Sequence, residues 1–211
     1  MQEIALLYIT SFFTMINPLG CIPLYIALTQ GFSSIQCRKV VIKATVTAFI
    51  LLTLLAFAGQ WVFAFFNISI DGLKIVGGFI FFRMGYEMLS GRSVTKRIEN
   101  ESDTSFANEI AITPLAIPMI CGPGAITMAI LFMEQATDLQ SQSILIGSIA
   151  LVSILTGFML LAGKKILNFL GDSGAKVMMR LMGLVVMLIG VEFFFTGVTP
   201  YVQKMLMITA G

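Results

Sequence analysis

Two prolines in the centres of long uncharged stretches constrain the fold of this chain most. Pro18 lies in the uncharged stretch from Ile4 to Cys37, and Pro123 lies in the one from Ile110 to Met133. Each stretch exceeds the roughly 20 residues that a helix needs to cross a hydrocarbon core. A proline inside such a helix removes a backbone hydrogen bond, and in lipid the break has to line a cavity or be buried in protein. The sequence therefore predicts membrane helices that are broken at Pro18 and Pro123.

The number of spans follows from the other apolar stretches. Hydrophobic residues make up 57% of the chain and charged residues only 11%, which is far from the balance of a soluble domain. The stretches Ala44 to Ile70 and Leu139 to Gly163 are also uncharged. Two more, about Gly72 to Leu89 and Met178 to Thr199, are mostly apolar with internal charge. We therefore predict an all-α integral membrane protein with six transmembrane helices.

The two halves of the chain repeat one pattern. Pro18 and Pro123 are 105 residues apart in a chain of 211, and the same offset aligns three further pairs: Gly78 with Gly183, Gly85 with Gly190 and Glu87 with Glu192. Proline and glycine recur in membrane helices for other reasons, but a single offset for all four pairs favours duplication. Three spans per half place the second copy upside down, as in many secondary transporters. The predicted organisation is a three-helix repeat at 1–91, a cytoplasmic linker at 92–108 and a second, inverted three-helix repeat at 109–211.

Basic residues predict the orientation. With six alternating spans, one side of the membrane carries only Lys74 and Lys204. The other side carries ten basic residues: Arg38, Lys39, Lys43, Arg92, Lys96, Arg97, Lys164, Lys165, Lys176 and Arg180. Cytoplasmic loops hold the excess of lysine and arginine. Both termini are therefore expected outside the cytoplasm, and the polar stretch from Arg92 to Asn108 is expected to be a mobile tether.

The helix breaks predict a binding site near the centre of the bilayer. Beyond each break a half-helix begins with exposed amides and the positive end of its dipole, which suit a carboxylate. Before each break, unpaired carbonyls suit an ammonium group or a small cation. Gly20, Gly122 and Gly124 allow the backbone to approach a ligand closely. The Asn17 amide can both donate and accept, and the Thr14 hydroxyl either satisfies a freed carbonyl or touches the substrate. A zwitterion fits such a site.

Three charged residues lie inside predicted spans. Arg83 and Glu87 are four residues apart on one helix face, so they can pair and act as a gate or packing strut. Glu192 has no equivalent of Arg83 in its own half, because Leu188 occupies that position. We expect Glu192 either to pair with Arg83 across the repeat or to titrate and couple transport to protons.

Several classes of function are disfavoured. The chain has no histidine, and its three cysteines lack the spacing of a metal or disulfide framework. An intramembrane enzyme would need paired acids or a serine–histidine couple, so we expect no enzyme and no cofactor. Without a nucleotide-binding motif, energy would come from a gradient of H+ or Na+, and the residues leave that choice open. The expected partners are a small-molecule substrate and the lipid bilayer, with no nucleic acid. The glycines at 77, 78 and 85 are compatible with a homo-oligomer as well as a monomer.

The proline motifs resemble those of a known family. Three segments carry the likeness: Asn17-Pro18-Leu19-Gly20-x-x-Pro23, Thr113-Pro114-Leu115-Ala116-Ile117-Pro118 and Gly122-Pro123-Gly124-Ala125-Ile126. Together with six spans and the chain length, they resemble the MarC family of bacterial and archaeal membrane proteins, which is grouped with LysE-like exporters. The resemblance implies a multi-pass protein of the bacterial or archaeal inner membrane. It implies transport of small neutral amino acids such as glycine and alanine, as in SnatA-like members, with an ion or metal-ion exporter or channel as the alternative. The site residues that it implies are Asn17, Pro18, Gly20, Gly122, Pro123 and Gly124.

Overall fold

The fold is known from a computed structural model that describes residues 2–29, 31–90 and 104–209. Every regular element in this part of the chain is helical, so the predicted all-α class is confirmed. We number the helices in chain order: α1 (Gln2–Ile16), α2 (Pro18–Leu28), α3 (Ser34–Phe65), α4 (Ile70–Ser90), α5 (Thr104–Ile110), α6 (Pro123–Gln135) and α7 (Leu139–Thr209). An irregular segment, Ala111–Ile120, connects α5 to α6.

The first predicted break separates α1 from α2. Asn17 adopts the left-handed conformation (φ 47°, ψ 66°), which asparagine tolerates better than most residues. Its backbone N–H still donates to the carbonyl of Phe13 at 3.0 Å, which completes α1. Pro18 has no N–H and becomes the first residue of α2. Together α1 and α2 form one interrupted apolar span, Gln2–Leu28.

The second predicted break precedes α6. Within the irregular segment, Thr113 and Ile117 have extended backbone conformations because each is followed by a proline, which disfavours the helical region. Gly122 is extended as well, and α6 begins at Pro123. The parts on either side, Ala107–Ile120 and Pro123–Gln135, are bent by 60° relative to each other. Both breaks predicted from proline are therefore confirmed.

The remaining long helices differ in their interruptions. α3 starts with a capping box in which Ser33 and Gln36 satisfy each other's backbone N–H groups, and it then runs unbroken for 32 residues. α7 is interrupted at Gly171, whose φ of 66° lies in the left-handed region that favours glycine. We call the part of α7 before Gly171 its first arm and the part after it its second arm.

Composition supports fewer spans than the six that the sequence predicted. Within the described residues, four helical segments are long and apolar enough to cross a membrane: Gln2–Leu28, Ser34–Phe65, Leu139–Gly163 and Lys176–Leu206. Counting the bent pair around Pro123 as one span gives five. The sixth predicted span coincides with α4, which is long enough but carries four charged residues: Asp71, Lys74, Arg83 and Glu87.

Helix α4 packs along the second arm of α7 through four glycines, which we call the glycine seam. A Cβ atom added to Gly190 would lie 2.7 Å from the carbonyl oxygen of Gly78, and one added to Gly183 would lie 2.8 Å from that of Gly85. Both contacts join backbone to backbone, so the helices approach as closely as glycine allows. The two contacts are seven residues apart on each helix, and the residue number rises along α4 as it falls along α7. The helices are therefore antiparallel.

A third contact lies beyond the glycine seam in the same register. A Cβ atom added to Gly197 would lie 2.7 Å from the carbonyl oxygen of Asp71. The second arm of α7 is one of the candidate spans, Lys176–Leu206. Helix α4 therefore lies beside that span from Asp71 to Gly85, in spite of its own charged residues.

The linker predicted at 92–108 is untested over most of its length. Residues 91–103 lie outside the described part of the structure, so the mobility predicted for them is untested. The final portion was assigned wrongly, because Thr104–Ile110 forms α5. Its Ala107 and Ile110 are buried in the core, which explains why this polar stretch becomes helical at its end.

Candidate functional site

A partly open cavity lies beside the first helix break, and Met119, which precedes the second break, lines it too. Its lining comes from α1, α2, α4, the irregular segment and the second arm of α7: Met15, Ile16, Asn17, Gly20, Phe81, Met119, Val186 and Ile189. Met119 lies three residues before the second break, and Asn17 is the first break itself. The cavity is therefore shared between the two halves of the chain, where sequence reasoning predicted a site.

The first break presents both donors and acceptors to this cavity. Asn17 accepts a hydrogen bond from the backbone N–H of Gly20 through Oδ1 at 3.2 Å, and its Nδ2 has no partner among the described residues. The backbone hydrogen bonds around the break are accepted by the carbonyls of Phe13 and Asn17, so within the described residues the carbonyls of Met15 and Ile16 receive no backbone N–H. The Ile16 carbonyl accepts a hydrogen bond from the Cys21 thiol at 3.5 Å. The break therefore offers carbonyl acceptors beside an amide donor.

The second break is richer in unpaired donors. The backbone N–H of Ile126 returns to the carbonyl of Gly122 at 2.9 Å, which is the first hydrogen bond of α6. No side chain caps this helix, and in the described chain the N–H groups of Gly124 and Ala125 have no partner. The Thr127 hydroxyl, one turn further on, is buried and unpartnered too. Side chains on a helix lean toward its N-terminus, so this hydroxyl leans toward the unpaired amides.

A pair of aromatic rings covers the second break. A Cβ atom added to Gly122 would lie 2.9 Å from Cζ of Phe81, and one added to Gly124 would lie 2.6 Å from Cζ of Phe193. The two rings meet edge to face, with centroids 6.2 Å apart. The side of Gly124 also faces the sulfur of Met15, at 2.9 Å. Of these residues, Phe81 and Met15 line the cavity.

Phe81 and Val186 are lining residues that the sequence reasoning missed. They belong to different helices, but they are 105 residues apart and so occupy equivalent positions in the two halves. Each lies midway between the two seam glycines of its own helix. The seam is therefore centred at the level of the cavity. The offset of 105 residues relates these two positions to each other, but it does not place either of them at the cavity.

The residues predicted to bind substrate fall into three groups. Asn17 and Gly20 line the cavity. Thr14 does not, because its side chain is exposed and its hydroxyl donates to the carbonyl of Thr10 at 2.8 Å. The others are buried around the two breaks: Pro18, Gly122, Pro123 and Gly124.

The charged residues of the predicted gate lie outside the cavity lining. Nε of Arg83 is 3.2 Å from Oε1 of Glu87, so the predicted pair within α4 is confirmed. Glu192 is exposed and forms no ion pair with Arg83 in the described chain, so the alternative pairing across the repeat was wrong. Glu87 and Glu192 occupy equivalent positions on antiparallel helices, so they lie on opposite sides of the seam centre. Glu192 therefore lies away from Arg83, which is on the Glu87 side. A gating or coupling role for these residues stays a prediction.

Cysteines and acids do not converge at the cavity. Cys21, Cys37 and Cys121 are free and buried. Within the described ranges, no three residues among histidine, cysteine, aspartate and glutamate come close enough together to hold a metal ion. The polar groups of the cavity are thus the uncharged amides and carbonyls of the first break.

Comparison with known proteins identifies the family. The sequence model of the MarC family of integral membrane proteins matches residues 2–202. The chain belongs to the MarC family. The resemblance of its proline motifs is therefore confirmed, and this MarC family protein is an integral membrane protein.

Similar proteins occur in archaea and in bacteria. A UPF0056 membrane protein of Pyrococcus horikoshii is 39% identical over 90% of this chain and 91% of its own length. Another, from Methanocaldococcus jannaschii, is 34% identical over 92% of this chain and 95% of its own. One from Buchnera aphidicola is 31% identical over 94% of this chain and 93% of its own length. No solved structure matches the chain significantly.

Proposed function

We propose that this MarC family protein is a secondary transporter of small neutral amino acids, such as glycine and alanine, and not an enzyme. The observation that carries the proposal is the polarity of the first break. Within the described chain, the carbonyls of Met15 and Ile16 accept no backbone N–H, and they adjoin the Asn17 Nδ2, which has no partner there, in one cavity. Carbonyls accept hydrogen bonds from an ammonium group, and the amide donates to a carboxylate. Uncharged groups of both kinds match a zwitterion without adding net charge to the membrane.

The second break supplies the stronger anion site. The unpaired N–H groups of Gly124 and Ala125 lie at the positive end of α6, where a carboxylate is stabilised. Phe81 and Phe193 cover this end. In the proposed mechanism, rotation of Phe81 and Phe193 exposes these amides to a substrate that is already held at the first break. Passage of the carboxylate from one break to the other then moves the substrate across the centre of the protein.

Small size is the second selective property of the cavity. Apart from Asn17 and Gly20, its lining is formed by apolar side chains of α1, α4, α7 and the irregular segment. A Cβ atom added to Gly20 would lie 2.6 Å from Nδ2 of Asn17, so a side chain at this position would displace the Asn17 amide. A substrate with a large side chain would have to displace Phe81 or Val186. This geometry supports glycine-sized and alanine-sized substrates.

The proposed architecture is six spans in two inverted repeats. Two observations support it: α4 lies beside a candidate span over most of its length, and the seam contacts are reciprocal. Under the offset of 105 residues, the contact between Gly78 and Gly190 becomes the contact between Gly183 and Gly85. Reciprocal contacts of this kind are the signature of a two-fold relation between like units. In an inner membrane of bacteria or archaea, basic loops would then face the cytoplasm and both termini would lie outside.

The proposal is tested by transport in proteoliposomes. We expect purified protein to take up labelled glycine and alanine under an imposed H+ or Na+ gradient, which also identifies the coupling ion. Gly124→Leu should abolish uptake, because any side chain there meets Phe193 and Met15. Gly147→Leu is the matched control, because no atom lies within 4 Å of its added Cβ.

A second variant keeps the test valid if Gly124→Leu does not fold. Asn17→Gly keeps the left-handed conformation at the break but removes the side-chain amide. It should fold and lose most glycine uptake. Folded wild-type protein that neither takes up nor exchanges any small neutral amino acid would refute the proposed function.

A further inference from the structure

One face of α4 carries a stripe of residues that no part of the described chain covers. Val76, Phe79 and Tyr86 have 59%, 66% and 53% of their surface exposed, and the side chains of Arg83 and Glu87 are exposed to 74% and 50%. Their spacing of three and four residues places all five on one side of the helix. We call them the α4 stripe. The seam glycines and the cavity residue Phe81 belong to the opposite, buried side of α4.

The depth of this stripe makes its charges unusual. Phe81 marks the centre of the glycine seam, and Arg83 is only two residues further along, or about 3 Å at 1.5 Å per residue. In the six-span arrangement proposed above, on which this inference rests, the seam centre lies near the bilayer midplane. Arg83 then sits where a charged side chain facing lipid is most costly. Such residues normally face protein or a water-filled cavity.

The hydrogen bonds of Arg83 are also incomplete. Its guanidinium has five N–H groups, of which Nε donates to Glu87 at 3.2 Å. The other four have no acceptor within the described chain. Lipid tails offer none. An acceptor from outside the chain is therefore needed at this depth.

We propose that a second copy of the chain covers the α4 stripe, so that Arg83 of each copy pairs with the partner's Glu87. Two copies inserted in the same direction are related by an axis along the membrane normal, which places their α4 helices side by side and parallel. The offset from Arg83 to Glu87 is then about 6 Å along the axis both within a copy and between copies. Each guanidinium thus lies between two carboxylates. The four charges sum to zero, and Phe79 and Tyr86 supply apolar contact around them.

Cysteine cross-linking in native membranes tests the interface. Phe79→Cys should form a disulfide-linked dimer on oxidation, because this position lies at the proposed contact. Phe158→Cys is the matched control: it replaces a phenylalanine that is 67% exposed on the first arm of α7, outside the α4 stripe. The native cysteines are buried and should not contribute. A Phe79→Cys protein that cross-links no better than the control overturns the proposal.

Charge reversal then tests pairing between copies. Arg83→Glu alone gives four acidic residues at the contact, and Glu87→Arg alone gives four basic ones, so both variants should lose the cross-link. Co-expression of the two should restore it between unlike copies only. The double variant Arg83→Glu/Glu87→Arg should cross-link with itself. Equal cross-linking of all variants would show that these charges do not join the copies and would contradict the inference.

Thiol labelling separates this inference from the architecture on which it rests. Phe79→Cys should resist a membrane-impermeant maleimide from both sides of the membrane. Ready labelling would show a water-exposed α4 and would overturn both the proposed arrangement and the dimer. Resistance to labelling without any cross-link would leave the six-span arrangement standing and overturn the dimer alone.

Discussion

Replacing Gly190 by alanine tests the close backbone contact between α4 and the second arm of α7. The added Cβ atom would lie 2.6 Å from the backbone nitrogen of Phe82 and 2.7 Å from the carbonyl oxygen of Gly78. A carbon and a carbonyl oxygen normally rest about 3.3–3.6 Å apart. The helices would therefore have to separate by roughly 0.6–0.9 Å. Backbone atoms cannot rotate aside as a side chain would, so α4 and the second arm of α7 have to move as a whole.

The cost follows from the contacts that this movement weakens. A gap of about 0.5–1 Å forfeits a quarter to a half of the dispersion energy of each affected contact. Overpacking of one methyl group into a tight contact typically costs about 1–3 kcal/mol. We expect Gly190→Ala to lose an amount in this range. Gly85→Ala should lose a similar amount, because its Cβ would lie 2.5 Å from the carbonyl oxygen of Gly183.

The assay is the apparent melting temperature of purified protein in one detergent. By the scaling of soluble proteins of this length, a loss of 1–3 kcal/mol lowers the melting temperature by roughly 2–12 °C. Gly147→Ala is the control, since its added Cβ meets no atom within 4 Å and alanine favours helix over glycine. If Gly190→Ala melts at or above the temperature of Gly147→Ala, the seam is not the close contact described here.

Three further predictions concern the cavity, a helix start and the cysteines. Phe81→Val should widen the cavity, so that leucine competes better with glycine for uptake than in the wild type; an unchanged competition ratio would contradict this. Asp138 accepts hydrogen bonds from the backbone N–H and hydroxyl of Ser141, which hold its pKa below the usual range. Its carboxylate therefore stabilises the fold above the ordinary pKa, and this contribution is lost as pH falls through the folded-state pKa. Wild type should accordingly melt above Asp138→Asn at neutral pH, with a difference that closes on acidification; a constant difference would argue against the capping role. Finally, maleimide should label three residues only after denaturation: Cys21, Cys37 and Cys121.

The helix breaks could be predicted because their causes are local. Proline lacks an N–H wherever it occurs, so Pro18 and Pro123 mark the breaks without knowledge of the rest of the fold. The extended conformations of Thr113 and Ile117 have the same local origin. The end of the linker was predicted less well, because burial of Ala107 and Ile110 depends on what packs against them.

The residues that line the cavity depend on how α4 and α7 pack against each other, and a single sequence does not give this packing directly. The offset of 105 residues aligned Gly78 with Gly183, but in the fold Gly78 touches Gly190 instead. This crossed pairing follows from the antiparallel packing of α4 and α7. The same packing brings Phe81 and Val186 to the cavity and separates Glu87 from Glu192. None of these contacts is encoded by residue spacing within a single helix.

Ligand protection tests whether the cavity between the breaks binds neutral amino acids as zwitterions. Val186→Cys places a thiol in the cavity lining at little change in volume. Glycine should slow its modification by a small thiol reagent, whereas acetate, which lacks the ammonium group, and glycinamide, which lacks the carboxylate, should not. Equal protection by all three compounds, or protection by none in folded protein, would contradict the account.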